Sequence, residues 1–261
     1  MLIDTHCHLD AREFADDREA VLVAARATGV AGIVVPAVAP ENWEAVRECC
    51  RSYPECGPAY GIHPLYIDRA GENGVIQLRQ WLQDEMVGGF PPLAVGEIGL
   101  DFFVPGFDAV RQQEVYIAQL KLARDLDLPV LLHVRRAIDQ VLKGLRRVGV
   151  KGGIAHAFNG SRQQADEFIR LGFKIGFGGA MTYPGSTRIR QLAATLPLEA
   201  IVLETDAPDI PPVWLARQRN SPQELASIAQ VFAELRSVSS EQIRDATTAN
   251  AKSVLRGLAR L

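Results

Sequence analysis

The chain has 261 residues, 48% hydrophobic and 23% charged, with 28 Lys and Arg against 31 Asp and Glu for a formal net charge of −3. That balance argues against a protein gripping nucleic acid with a broad basic surface, though not against a nuclease whose bound cations supply the positive charge. No apolar run approaches the roughly 18 residues of a membrane span, and Met1-Leu2-Ile3-Asp4-Thr5-His6 opens no signal peptide, so a cytoplasmic protein with no membrane partner is expected.

Short β-rich runs alternate with helical stretches from end to end. Leu2–His6 predicts the first strand. A helix starts near Asp16-Asp17, whose carboxylates suit a helix N-terminus, and ends by Gly29. Gly32–Val38 predicts the second strand, and Pro40-Glu41 opens a helix running through Cys50. The third strand is Pro58–His63, followed by a helix from Val75 to Met86. The fourth is Leu93–Gly99, followed by a long amphipathic helix from Asp108 to Leu126. Pro129–His133 is the fifth. Gly153–Phe158 is the sixth, and Asn159-Gly160-Ser161 feeds another helix. Phe173–Gly178 and Ala200–Asp206 are the seventh and eighth. Ser221–Leu258 reads as two helices broken near Ser239-Ser240.

Such alternation marks βαβ units and a parallel sheet. The chain matches the length of a barrel of about 250 residues. The expected fold is therefore α/β, a (β/α)8 TIM barrel with an extra C-terminal helix, over residues 1–261 as one domain. A doubly wound sheet would usually show a Gly-rich phosphate turn after strand one; here His6-Cys7-His8 stands there. Cys7, Cys49, Cys50 and Cys56 form no C-x-x-C pair and read as reduced thiols, Cys7 pointing into packing between its two histidines.

The chain has only 5 histidines, and each falls at or just after a predicted strand end: His6, His8, His63, His133 and His156. In a TIM barrel those ends converge on the active-site mouth. His6 and His8, two apart on extended backbone, project from one face and can share a cation. Glu97 and Asp206 stand at corresponding ends. Four histidines and two carboxylates suit two ions with positions left for water and substrate. Any one histidine alone is more readily a hydrogen-bonded structural residue; the set is the signal. Asp206 can also accept a proton from bound water, which makes it the candidate base. Glu204 shares its face, either as a functional carboxylate or as a buried one paired with an arginine or hydroxyl. Asp4 stands likewise below His6. None of Lys121, Lys143, Lys151, Lys174 and Lys252 falls at a C-terminal strand end, so Glu97, not a carboxylated lysine, is the expected bridge.

Six segments resemble the TatD family of metal-dependent deoxyribonucleases: Asp4–Asp10, Gly61–Pro64, Gly96–Asp101, Leu132–Arg135, His156–Ser161 and Glu204–Pro208. Gly99-Leu100-Asp101-Phe102-Phe103 and His133-Val134-Arg135-Arg136 resemble its YjjV-like branch. The resemblance implies a barrel with two or three divalent cations that hydrolyses ester bonds, typically phosphodiesters in DNA. It implies one cation on His6, His8, Glu97 and Asp206, the other on Glu97, His133 and His156, with His63 and Arg135 facing substrate. Two departures fall in mouth loops: Pro64 is followed by Leu65-Tyr66, and the segment after the last strand reads Leu215-Ala216-Arg217-Gln218-Arg219-Asn220.

The expected activity is hydrolysis by metal-activated water, with Asp206 and Glu97 catalytic and DNA, single-stranded or at its 3′ ends, as substrate. Zinc, manganese, magnesium and nickel all suit such ligands, and no protein partner is implied. The alternatives are hydrolysis of a small-molecule ester, lactone or amide by the same metals, or a non-catalytic barrel. Arg135 either meets phosphate or pairs with an acidic rim residue. Asp101 is expected to order the strand-four loop. Tyr66, Phe102, Phe103, Phe158 and Trp214 are the candidate stacking aromatics.

Overall fold

The computed structural model describes residues 1–216 and 218–260, so Arg217 lies outside the described residues. In chain order the elements are β1 (Leu2–Asp4), α1 (Arg18–Ala27), β2 (Val30–Pro36), α2 (Trp43–Ser52), β3 (Cys56–Tyr60), α3 (Ile67–Ala70), α4 (Gly74–Val87), β4 (Ala94–Asp101), α5 (Ala109–Asp125), β5 (Val130–Arg135) and α6 (Ile138–Val148). They continue with β6 (Gly153–Ala155), α7 (Arg162–Arg170), β7 (Phe173–Phe177), α8 (Thr187–Thr195), β8 (Ile201–Leu203), α9 (Leu225–Arg236) and α10 (Ser240–Val254). The strands pair in parallel in the order β1 to β8. Thr5 N–H donates to Leu203 O at 3.1 Å and Asp206 N–H to His6 O at 2.8 Å, which ties β8 back to β1. The result is the expected TIM barrel.

Local chemistry explains where the helices begin. Asp108 caps α5 by accepting from Val110 N–H and Arg111 N–H. Ser161 and Gln164 cap α7 reciprocally, which is why the Asn159-Gly160-Ser161 turn feeds a helix. Ser239 and Gln242 do the same for α10.

Alternation divides each strand between two cores. Ile3, Val34, Ala59, Ala94, Leu131, Ile154 and Val202 fill the lower barrel, and Ala251, Leu255 and Leu258 close it from below. The end of the extra C-terminal helix, α10, and the turn that follows it thus plug the N-terminal end of the barrel, and each large aliphatic side chain buried there contributes about 1.5–3 kcal/mol. Phe173, Ile175 and Phe177 of β7 face the helical shell instead. The plug leaves the C-terminal mouth as the open end. Among the described residues no helix is long and apolar enough to cross a membrane.

Most strands end sooner than the sequence predicts. β1 stops at Asp4, β6 at Ala155 and β8 at Leu203, so His6, His8, His156 and Asp206 all lie on short irregular segments just beyond. These segments are held by backbone hydrogen bonds, Cys7 N–H to Val34 O of β2 and His156 N–H to Leu132 O of β5, and to one another through His8 N–H to Ala207 O. Cys7 packs in the core, as expected.

Candidate metal centre

Glu97 reaches the mouth through an irregularity in β4. The pairing with β5 passes from Val95↔Val130 to Ile98↔Leu132, one residue more on β4 than on β5. Val95 and Ile98 both pack outward, and the extra residue lets Glu97 turn in. Gly96 is required there, because a Cβ would sit 2.6 Å from that of Leu131.

The Glu97 carboxylate is 2% exposed and surrounded by imidazoles. Its Oε2 lies 3.3 Å from His6 Nε2 and 3.6 Å from His8 Nε2. Its Oε1 lies 3.0 Å from His156 Nε2, 3.1 Å from His133 Nδ1 and 3.6 Å from His63 Nε2. Asp206 Oδ1 joins the first side, 3.6 Å from His6 Nε2 and 3.7 Å from His8 Nε2. Atoms bound at 2.0–2.1 Å to one tetrahedral zinc stand about 3.3 Å apart, so these spacings fit shared cations. Three sets have ligand atoms within 4.8 Å of one another: His6, His8 and Glu97; His6, His156 and Asp206; His63, Glu97 and His133. All six residues expected to bind metal converge, although His6 and His8 meet through an irregular segment and not through strand alternation.

The far nitrogen of each ring sorts the histidines. His8 Nδ1 faces Pro36 O at 3.2 Å, so it carries the hydrogen and leaves the Nε2 lone pair inward. His133 Nε2 meets Asp101 Oδ2 at 3.0 Å, which leaves Nδ1 inward. His156 Nδ1 faces Glu204 Oε1 at 3.7 Å. His6, fully buried, has no hydrogen-bond partner for either ring nitrogen; an orphaned buried group costs about 1–3 kcal/mol, which a cation at Nε2 offsets. His63 is the exception. Its Nδ1 accepts from Leu65 N–H at 3.2 Å, so its Nε2 presents a hydrogen to the site. The donor set therefore fits divalent metal, with His63 standing apart as a donor inside the cluster.

Two carboxylates stand behind the imidazoles, Asp101 hydrogen-bonded to His133 and Glu204 facing His156, and the sequence reading missed the first of them. Asp101 does order its loop, accepting from Phe103 N–H and Val104 N–H, but its other oxygen orients His133. Burial pushes the Asp101 carboxyl up, yet the hydrogen bonds from His133 and from those two amides outweigh it and hold it at about 2. Glu204 pairs with no arginine or hydroxyl among the described residues: it accepts from Ala157 N–H and faces His156. Gly176 leaves room for it, since a Cβ there would lie 2.3 Å from Glu204 Oε2. Asp4 holds backbone and not an imidazole, accepting from His6 N–H, Thr205 N–H and Thr205 Oγ1. Arg135 lies exposed at the mouth, its guanidinium 3.8 Å from the Phe103 ring centroid, with no acidic rim partner among the described residues. Phe158 is buried against Phe168, and Trp214 is tied to Glu224.

A family model described as TatD related DNase matches residues 3–256. The chain is a TatD-family metal-dependent hydrolase. The uncharacterized metal-dependent hydrolase YjjV of Escherichia coli K12 is 41% identical over 249 residues, 95% of each chain. A metal-dependent hydrolase of Haemophilus influenzae is 35% identical over 257 residues, covering 95% of this chain and 97% of its own. The crystal structure of Escherichia coli YjjV matches with a TM-score of 0.92 at 40% identity over 98% of both chains. A TatD-family hydrolase from Entamoeba histolytica, 19% identical with a TM-score of 0.85 over 97% of both chains, shares the fold.

In this TatD-family hydrolase Asp101→Asn should weaken metal binding about 10- to 100-fold, because it loosens the ring that presents His133 Nδ1. Competition against a chelating dye measures this; unchanged affinity would deny Asp101 any role beyond its loop.

Protonation gives a second expectation. Burial pushes the His156 imidazole down, but Glu97 outweighs it and holds the ring well above its ordinary 6.5. Burial pushes Glu97 up, and His63, His6 and His156 hold it well below its usual range. In chelated protein the raised His156 value contributes stability that is complete below about pH 6.5 and lost as pH rises through the folded value. A cation competes for the same nitrogen. Metal binding near pH 7 should then release protons, and affinity should fall as pH falls. Calorimetric titration in buffers of different ionisation enthalpy reads the release, and heats independent of buffer would contradict it.

Proposed function

We propose that this hydrolase is a divalent-metal-dependent phosphodiesterase that cuts DNA, single-stranded or at its 3′ ends. The observation that carries the reading is the two-sided carboxylate of Glu97, with His6 and His8 near Oε2, His63, His133 and His156 near Oε1, and Asp206 beside the His6 and His8 rings. His6, His8, Glu97 and Asp206 would hold one cation, and Glu97, His133 and His156 the other. Such a pair lowers the pKa of water and neutralises charge on phosphoryl oxygens.

The chain's own residues supply the rest. Asp206, 13% exposed at its side chain, stands where it can take a proton from the attacking water. His63 offers an Nε2 hydrogen to a phosphate oxygen. Arg135, with no carboxylate partner among the described residues, can donate a paired hydrogen bond to another. The family description as a DNase supports the substrate class.

The test is cleavage of end-labelled single-stranded oligonucleotides by protein loaded separately with zinc, manganese, magnesium or nickel, beside panels of lactones and amides. Cleavage with a defined end preference is expected. Intact strands alongside turnover of a lactone or amide would overturn the reading.

A further inference from the structure

Phe102 and Phe103 follow the last residue of β4 and diverge. Phe102 packs against the core. Phe103 is 44% exposed at the mouth. It is nevertheless fixed, since its N–H donates to Asp101 Oδ1 at 2.8 Å. The other oxygen of that carboxylate meets His133 Nε2. One side chain therefore holds both the backbone that carries the exposed ring and a candidate metal ligand.

Two guanidiniums lie over this ring, Arg135 at 3.8 Å and Arg136 at 4.7 Å from its centroid. Successive side chains on a regular strand point to opposite faces. Arg136 has a φ of +54°, left-handed backbone that arginine seldom adopts, just past the end of β5. The turn brings both side chains to one ring. Strain of this kind collects where a site needs a particular geometry. Asp101, the register neighbour of Arg135, commits its oxygens to His133 and to two loop amides, so it does not neutralise the pair. Two cations crowded on one ring repel each other, and an anion between them relieves that repulsion. The other rim aromatics lack this arrangement: Trp214 is held by Glu224, and among the described residues a single guanidinium, that of Arg69 at 4.9 Å, lies over Tyr66.

We propose that Phe103, Arg135 and Arg136 form a subsite beside the metal centre in which the guanidiniums shift from the Phe103 ring to meet a phosphate and the flat ring adjoining that phosphate takes their place on Phe103. It selects base- or aryl-bearing phosphoesters over alkyl ones. The proposal rests on the phosphodiesterase reading and adds to it the determinant of what the ester carries. Stacking of a base on an aromatic side chain is tolerant of base identity, so the preference is for a ring and not for a sequence.

Binding, not turnover, tests it. Magnesium-loaded protein is titrated with a short phosphorothioate-linked thymidine strand and with an abasic strand of equal length and charge, followed by fluorescence anisotropy. The thymidine strand should bind about 5- to 100-fold tighter. Phe103→Leu should erase that ratio and Phe103→Tyr should keep it. Arg136→Met should weaken both strands alike and reduce the logarithmic salt slope by about 0.7, one phosphate contact on a single strand. A ratio near one in the unaltered protein, or a ratio that survives Phe103→Leu, overturns the subsite; the first comparison needs no variant to fold. Uncut natural strands together with an intact binding ratio would sink the phosphodiesterase reading and leave the subsite standing.

Discussion

Glu97→Gln should cost the protein its metals and its turnover together. Each oxygen of this carboxylate faces a different set of imidazoles, His6 and His8 on one side and His63, His133 and His156 on the other. A glutamine keeps the shape but offers an acceptor to only one side and turns N–H donors toward the other. It also removes the negative charge that both sets of imidazoles face. Lost cations forfeit several kcal/mol of transition-state stabilisation, so kcat/KM should fall about 10³- to 10⁵-fold, or about 4–7 kcal/mol. Elemental analysis should show metal content falling in parallel. Glu97→Asp, one methylene shorter, should reach one set and not the other, and retain part of the metal. Full metal occupancy in Glu97→Gln with activity within tenfold of the parent would mean that the cations are held some other way.

How far the site could be read in advance depended on the kind of information each part needs. Histidines at the ends of apolar runs are visible in one dimension, because strand period and flanking turns say where a strand stops to within a few residues. A barrel then brings all such ends to one rim whatever the intervening helices do. His6, His8, Glu97, His133, His156 and Asp206 were legible for that reason, as was the helix beyond the eighth strand. The local path of the chain was not. β1 stops at Asp4 because Asp4 accepts from Thr205 and His6 amides, a contact across some 200 residues of sequence that no periodicity encodes. The irregularity that turns Glu97 inward depends on Gly96 lying against Leu131 of the next strand.

The roles of the carboxylates behind the imidazoles were hidden for the same reason. Asp101 looks like a loop-ordering residue because half of what it does is local, to Phe103 and Val104, two and three residues on. The other half crosses to His133 on β5. His63 was expected to face substrate; it sits 7% exposed within the cluster, and the Leu65 amide on its Nδ1 sets it apart from the other imidazoles. A tautomer is set by the partner of the far nitrogen, and that partner is a property of the folded turn.

Asp206→Asn should separate catalysis from metal binding. Asp206 has a φ of +58°, in the left-handed region where asparagine is among the best-tolerated residues. The substitution therefore leaves the backbone unstrained, and its N–H can still donate to His6 O at the junction of β8 and β1. The amide oxygen remains available near His6 and His8, so metal content should stay close to that of the parent. What disappears is the group able to take a proton. Loss of a positioned general base costs about 10²- to 10⁴-fold, and the fall should appear in kcat with KM little changed, since Arg135 and His63 are untouched. Asp206→Leu is the contrasting change: it loses the oxygen and places an apolar side chain at a left-handed position, so metal content and thermal stability should drop with activity. If Asp206→Asn kept kcat within a few-fold while retaining its metals, the proton would have to leave by another route. His63 could not supply it while its Nε2 holds a hydrogen, so Glu97 or a residue outside the cluster would have to act as the base.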